Sequence, residues 1–429
     1  MPSEQHDAIA PVKILEAELT QPLPTIDPTA YDRPYHKALL LVRIQGRPIG
    51  RLEVALDYAL TPDALAHRIE TALHDAIAAY FAEAGLPAAQ TLTAQGFTIP
   101  LHVPQDPRPF VSVIVATRDR PDRLRACLQT LLAQDYPQFD VVVVDNAPKT
   151  SATADLIANE FGRYTQICYV REDKPGLTNA RNAGLAVARG EITAITDDDV
   201  LADRLWLSTL VQAFKVGQNV ACVTGLILPA ELETPTQVWL EQFGGFSKGY
   251  QTKILDLADH RPVDHLFPYT VGQCGSGANM AFKTDVLRNI GGFDPALGAG
   301  TLGIGGEDLA IFHSVITAHY QLVYEPAALV YHFHPSEYRQ LQRMLYNYGV
   351  GLTAFVTKTI VDKPASIVEL ILKLPRGVLF ALSPGSPKNR AKQTNYPKEL
   401  TYLELRGMLY GPIAYLRSRW HIRQTSHAS

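Results

Sequence analysis

Cysteine is scarce in this chain, with four in 429 residues: Cys127, Cys168, Cys222 and Cys274. None falls in a CxxC or CxxH spacing and three sit in apolar stretches, which disfavours a zinc site and a disulfide framework and fits a reducing cytoplasm. No apolar run reaches about 18 residues without a charge, so no membrane-spanning helix is expected. The nearest candidate, Ile367 to Leu382, is interrupted by Glu369, Lys373 and the pair Pro375-Arg376. The opening Met1-Pro2-Ser3-Glu4-Gln5-His6-Asp7 has no apolar core and does not read as a signal peptide. Two phosphate-binding fingerprints are also missing. The α/β stretch has no GxGxxG after its first strand, which disfavours NAD or FAD, and no GxxxxGK[ST], which disfavours a P-loop.

What is present is an ordinary apolar content, 46%, and enough length for two or three domains. Net charge is only −4, but it is unevenly spread. Residues 353–429 carry twelve Lys/Arg against four Asp/Glu, a net +8, so residues 1–352 carry −12. A basic tail on an acidic body suits a phosphate-bearing partner or an anionic membrane face, and equally a solvated helical surface.

Residues 1–36, rich in Pro, Asp and Thr, read as a poorly ordered lead-in. Residues 37–105 read as a small β-hairpin-plus-helix module and linker. Its strands are 38–44 and 52–54, its helix is opened by Thr61-Pro62, and a Pro-rich stretch runs from Ile99 to Pro109. From Val111 the pattern changes to apolar strands alternating with helices. Val111 to Ala116, Val141 to Val144, Ile167 to Val170 and Ile192 to Thr196 are the strands. Such alternation predicts an α/β domain over 110–335, a mostly parallel sheet flanked by helices. Residues 336–429 read as a helical basic C-terminal region.

Ligands in such sheets bind beyond the carboxyl ends of the strands. Polar residues gather there: Thr117-Arg118-Asp119-Arg120, then Asp145, then Asp173-Lys174, then Asp197-Asp198-Asp199. Three adjacent carboxylates repel one another, and a hard divalent cation, Mg²⁺ or Mn²⁺, relieves that. The competing reading is an acidic turn capping a helix that begins near Ala202. Downstream, Gly275-Ser276-Gly277-Ala278-Asn279 lets backbone approach a ligand closely. The glycine-rich run Gly298 to Gly306 reads as a mobile lid or acceptor loop and ends in Glu307-Asp308 at a helix start. A carboxylate there suits a general base toward an acceptor hydroxyl. His332 and His334 alternate on one face of a strand, and either suits the aspartate metal site as an imidazole ligand.

Together these pieces resemble glycosyltransferase family 2, the inverting nucleotide-sugar enzymes of the GT-A fold. The matching segments are Val113 to Arg120, Val142 to Asn146, Gly176 to Gly184 (which contains Arg181), Thr196 to Val200, and Gly306-Glu307-Asp308. The resemblance implies that Thr117, Asp119 and Asp145 hold base and ribose, with Asp197 near the nucleotide. Arg118, Asp173, Arg181 and Asp198 are grouped with these nucleotide-binding residues. It also implies that Asp199 and His332 hold the metal, Mn²⁺ or Mg²⁺, and that Asp308 is the base with Glu307 beside it. Gly275, Ser276, Gly277 and Asn279 would line the donor-sugar and acceptor pocket. Processive synthases of the family carry Gln-x-x-Arg-Trp, whereas Leu416-Arg417-Ser418-Arg419-Trp420 lacks the glutamine. A non-processive transferase is therefore expected.

Its partners would be a nucleotide-sugar donor and a glycan, lipid-linked or small-molecule acceptor, with no nucleic acid. The expected location is cytoplasmic, with peripheral contact at the cytoplasmic membrane face through the C-terminal region. Two alternatives stand beside this reading. One is a nucleotidyltransferase, disfavoured because Thr117 to Asp122 has no glycine; the other is a catalytically silent sugar-nucleotide scaffold.

Overall fold

The computed structural model describes residues 9–87, 91–100, 108–383, 385, 386, 389, 392 and 396–426. A three-stranded sheet comes first, formed by β1 (Val12–Glu18), β2 (Lys37–Ile44) and β3 (Arg47–Ala55) and backed by α1 (Pro62–Glu83). β2 and β3 are the expected hairpin, and Thr61 caps α1 by accepting from the Ala64 amide at 3.3 Å, with Pro62 in the first turn. β1 corrects the expectation of a poorly ordered lead-in. It pairs parallel with β2 in register from Val12 opposite Lys37, and buries Val12 and Ala17. A parallel partner some 25 positions away leaves no local turn signal to mark it. The Pro-rich linker lies largely outside the described residues, at 101–107.

The second sheet has nine strands. In chain order the elements are β4 (Val111–Thr117), α2 (Pro121–Leu132), β5 (Phe139–Asn146), α3 (Ala152–Leu156), β6 (Ile167–Glu172), α4 (Leu177–Val187) and β7 (Ile192–Asp197). β8 (Val200–Ala202), α5 (Trp206–Ala213), β9 (Val220–Pro229), α6 (Pro235–Phe243), β10 (Lys253–Leu255), β11 (Asn279–Lys283), α7 (Thr284–Asn289), α8 (Glu307–Thr317) and β12 (Gln321–His332) complete it. The order is β10-β12-β9-β11-β7-β4-β5-β6, with β8 paired to β12. β7, β4, β5 and β6 form the expected parallel part, and antiparallel β11 joins it to β9, making the whole sheet mixed.

Alternate residues of β4 and β5 face opposite layers. Val113, Val115, Val141 and Val143 pack toward α2 and α5, while Ile114, Val142 and Val144 pack toward α4 and α8. Burying each such side chain contributes about 1.5–3 kcal/mol, so both faces must be covered. The chain runs outward from β4 through β5 to β6, then returns to place β7 on the other side of β4. That reversal opens a crevice between the ends of β4 and β7. After Asp199 the chain continues as β8 and the next helix begins only at Trp206, so the aspartates do not cap a helix near Ala202.

Three helices follow: α9 (Tyr338–Asp362), α10 (Ser366–Leu382) and α11 (Lys398–Ser426). α9 and α11 pack along each other so closely that Gly349, Gly407 and Gly411 leave no room for a Cβ. Among the described residues no helix is long and apolar enough to cross a membrane.

Candidate active site

At the crevice the three adjacent aspartates have three different environments. Asp197 ends β7 opposite Ala116 of β4 and accepts from Arg181 Nη2 at 3.1 Å; burial raises its pKa against the pull of Arg181. Asp198 is fully buried, accepts from the Thr117 hydroxyl at 2.6 Å and is gripped by the Arg120 guanidinium. Burial outweighs Arg120 and pushes its pKa up to about 7. Asp199 faces Arg120 Nη1 at 2.9 Å and His332 Nε2 at 3.3 Å. Burial opposes its charge, but the hydrogen bond and charge of His332, with Arg120, hold its carboxyl below the ordinary range.

One ligand atom each from Asp197, Asp199 and His332 lies within 4.8 Å of the others. Two carboxylate oxygens and an imidazole nitrogen suit Mn²⁺, or Mg²⁺ with its preference for oxygen. His332 is itself supported. Its Nδ1 lies 3.3 Å from His334 Nδ1, and His334 Nε2 lies 3.0 Å from Glu241 on α6. Glu241 Oε2 then accepts from Arg51 Nη1 of β3 at 3.3 Å. The Phe246 ring covers both imidazoles, its centroid 5.2 and 5.6 Å from theirs. Such outer partners fix the orientation of a ligating imidazole.

Arg181, from α4, ties this cluster to the opposite wall. It is almost wholly buried and donates to Asp197, to the Gly277 carbonyl at 3.0 Å and to Glu307 Oε1 at 3.4 Å. The amide of Gly277 donates in turn to Asp308 Oδ2 at 3.2 Å, while Asp308 Oδ1 accepts from Leu309 N at 2.8 Å. A Cβ on Gly277 would come within 3.2 Å of the Arg181 guanidinium and 3.4 Å of Asp308. The small residue therefore lets the Asp308 carboxylate and the Arg181 clamp share one backbone segment. Burial first, then Asp308, raises Glu307 to about 7. Gly306 enters α8 at φ +82° with Gly351 of α9 against it, where a Cβ would lie 2.2 Å from the Gly351 carbonyl. The Gly298 to Gly306 run is thus packed backbone to backbone at its end.

Several expected residues stand elsewhere. Asp145 is fully buried at the end of β5; one oxygen accepts from the Tyr169 hydroxyl at 3.0 Å, and Oδ1 has no hydrogen-bond partner among the described residues. Asp119, at φ +52°, accepts from the Lys149 amide at 3.0 Å, and Arg118 is exposed beside it. Asp173 is exposed and pairs with Arg171 at 2.7 Å. Thr117 and Asp198 satisfy each other in the interior. Asn279 corrects the pocket reading. Its fully buried amide accepts from Trp206 Nε1 at 2.9 Å and donates to the Leu226 and Ala328 carbonyls, clamping strands together. Gly275, at φ +152°, packs on Thr224, and Ser276 is half-buried.

Sequence reasoning passed over Arg120, Glu241, Lys248 and Tyr348. Arg120 stood in the quoted Thr117 to Arg120 motif, so its spacing was a usable signal. Burial holds the Lys248 ammonium below its ordinary pKa, with Asp308 opposing. Burial, then Asp308, Asp197, Glu307 and Asp199, raises the Tyr348 phenol. Neither residue belongs to a motif.

Fold and site together define an α/β domain with a ligand crevice at its switch point and a metal-type donor set beside a carboxylate at a helix start. Residues 112–289 match the family model described as glycosyl transferase family 2. A Haloferax volcanii protein named glucosyl-dolichyl phosphate glucuronosyltransferase is 23% identical over 195 residues, 44% of this chain and 57% of its own length. A Mycobacterium tuberculosis protein named pre-mycofactocin glycosyltransferase is 26% identical over 277 residues, 64% of this chain and 53% of its own length. The chain thus spans about half the length of these curated relatives. A Pyrobaculum calidifontis mannosyltransferase structure, in complex with GDP-Man and Mn²⁺, superposes with TM-score 0.48 at 19% identity, covering 82% of this chain and 98% of its own.

Proposed function

We propose that this chain moves a glycosyl group from a nucleotide-diphosphate sugar to an acceptor hydroxyl by direct displacement, inverting the anomeric centre and adding one or a few sugars. The observation carrying this reading is the tie between cluster and base: Arg181 joins Asp197 to Gly277, and Gly277 holds Asp308. The acceptor oxygen bonds to the anomeric carbon, the diphosphate oxygen leaves with the bonding electrons, and the acceptor proton passes to Asp308. Two backbone amides orient that carboxylate, and Arg181 keeps it at a fixed distance from the donor side. Asp197, Asp199 and His332 would hold the divalent ion, which when bound neutralises charge on the leaving diphosphate. Asp145 Oδ1, buried and with no hydrogen-bond partner among the described residues, suits a donor from the base or ribose.

Among glycan, lipid-linked and small-molecule acceptors we favour the lipid-linked class. The name of the Haloferax relative supports it, as does the basic C-terminal region, which suits an enzyme held peripherally at a cytoplasmic membrane face.

A panel of UDP-, GDP- and dTDP-sugars, titrated calorimetrically with and without Mn²⁺, should yield one metal-dependent donor. With that donor, Asp308→Asn should lower turnover at least about 100-fold while binding stays within a few-fold. Asp199→Ala should remove the Mn²⁺ dependence of binding. Near-wild-type turnover in Asp308→Asn would dismiss the base, and binding with no transfer or hydrolysis in the wild type would favour the silent scaffold.

A further inference from the structure

α10 has its amphipathic character inside out. A helix on a protein surface normally turns its apolar stripe to the core and its charges to water. Here Lys373, 16% exposed, turns toward the body of the protein, and Glu369 and Arg376, at spacing i−4 and i+3 from it, flank it at the edge of that contact. Lys373 Nζ donates to the carbonyls of His265 and Phe267, and Glu369 accepts from the Tyr269 hydroxyl at 3.1 Å. Arg376 lines a cleft with Asp264 and Gln273. The opposite face carries Val368, Ile371, Leu372, Leu374, Leu379 and Leu382, each 54–71% exposed. Val263, on the loop that α10 rests against, is 94% exposed. Isolated exposed apolar residues are normal, but a continuous stripe over a 17-residue helix, about 25 Å long, marks an interaction surface.

Charge selects the occupant. Region 353–429 carries +8, with Lys388, Arg390 and Lys392 following α10 in sequence. Its three exposed acidic residues are already engaged: Asp362 by Lys358 and Arg419, Glu369 by Lys373 and Tyr269, and Glu399 by Tyr338. Arg406, Arg417 and Arg423 are exposed on α11. A second copy meeting this face would bring two such basic regions together, whereas an anionic bilayer neutralises them and accepts a convex apolar helix without needing a groove.

We propose that α10 is a lipid-docking helix, lying flat in the headgroup region of an anionic membrane with its apolar face buried in the acyl boundary. The proposal deepens the lipid-linked acceptor reading and rests on it, for an enzyme seated in this way meets an acceptor at the same surface. Apolar burial supplies the affinity and the basic residues the preference for anionic headgroups.

The test is flotation of the full chain with vesicles of phosphatidylcholine, with and without 30% phosphatidylglycerol. The wild type should float with anionic vesicles and bind neutral ones at least about fivefold more weakly. The triple variant Ile371→Glu, Leu372→Glu, Leu379→Glu should lose at least about tenfold in anionic-vesicle binding and keep its melting temperature, since all three side chains are exposed. Its donor hydrolysis should also be unchanged. Wild-type protein that stays unbound, or a variant that floats equally well, overturns the proposal. So does a wild-type dimer in light scattering that the variant converts to monomer, which assigns the face to a second copy. Intact donor hydrolysis without flotation overturns the docking helix alone; flotation without metal-dependent binding of any nucleotide sugar overturns the glycosyl-transfer reading alone.

Discussion

The two regions flanking the nine-stranded α/β domain differ in how their surfaces are completed. The N-terminal sheet is finished by the protein itself. Arg43 of β2 bonds Asp203 at 2.7 Å and Glu16 at 3.1 Å, Glu16 also receives the Tyr331 hydroxyl of β12, and Leu41 packs with Leu226, Leu228, Tyr324 and Leu329. The C-terminal helices bury α9 against α11 but leave the apolar face of α10 open. A small module with a closed interface acts as part of the α/β body, and through Arg51 and Glu241 it reaches the metal-type cluster. A region that presents apolar residues outward instead expects something beyond the chain to cover them.

Breaking the closed interface should have the largest effect. Arg43→Ala leaves Asp203, 11% exposed, without its cation, and removing one partner of a buried pair costs about 3–5 kcal/mol. Urea unfolding should show that loss; a change below about 1 kcal/mol would mean the module is only loosely attached.

On the other side, His313 of α8 lies between Tyr269 and the α9 residue Phe355, with centroids 5.6 and 5.4 Å away. Burial first, with Lys358 next, lowers its pKa from 6.5 to about 4, although Glu369 opposes. The folded-state value lies below the unfolded one, so its stabilising effect is full above pH 6.5 and is lost as pH falls toward 4. The loss is at most about 3 kcal/mol. His313→Gln should flatten that part of the stability profile; an unchanged slope from pH 6.5 to 4 would dismiss His313 as its source.

How much of this was legible follows from the residues. Asp197, Asp199 and Asp308 stood in motifs with fixed order and His332 was one of two alternating histidines downstream, and the fold brings Asp197, Asp199 and His332 into one cluster and anchors Asp308 to its clamp. The parallel strands were legible because both faces are buried and the runs are continuously apolar. Division of labour among the aspartates was not, because it depends on which partner reaches each carboxylate: Thr117 arrives from the end of β4 and Arg120 from the loop before α2, 78–81 positions away. Asn279 was misread because a Gly-Ser-Gly-Ala-Asn run looks like loop punctuation, while the structure makes Asn279 the first residue of a central strand. β1 and the link from Arg51 to Glu241 rest on pairing across long separations, which local patterns do not encode.

That link gives a third way to test the comparison. Glu241→Gln removes the charge that orients His334 and, through it, His332. Loss of such an outer partner typically lowers metal affinity about 10–100-fold. Manganese titration followed by electron paramagnetic resonance should find that range for Glu241→Gln. Arg51→Ala should give a smaller loss, a few-fold, because Arg51 is 38% exposed and its pair is screened. Equal affinities in all three proteins would confine the module to a structural part.

The smallest effect is expected where the apolar side chains are most numerous on the surface. Leu372→Ser removes a large hydrophobe, yet Leu372 is 71% exposed and buries little on folding. Its loss should change unfolding free energy by no more than about 0.5 kcal/mol, the ordinary range for surface positions. The same substitution in a core position such as Leu345 on α9, which is fully buried, should cost several kcal/mol, since it combines a cavity with a buried hydroxyl. Parallel urea titrations of the two variants decide the matter: if Leu372→Ser destabilised the lipid-free chain as Leu345→Ser does, the outer face of α10 would already be covered by the protein. The contrast with the N-terminal interface would then vanish.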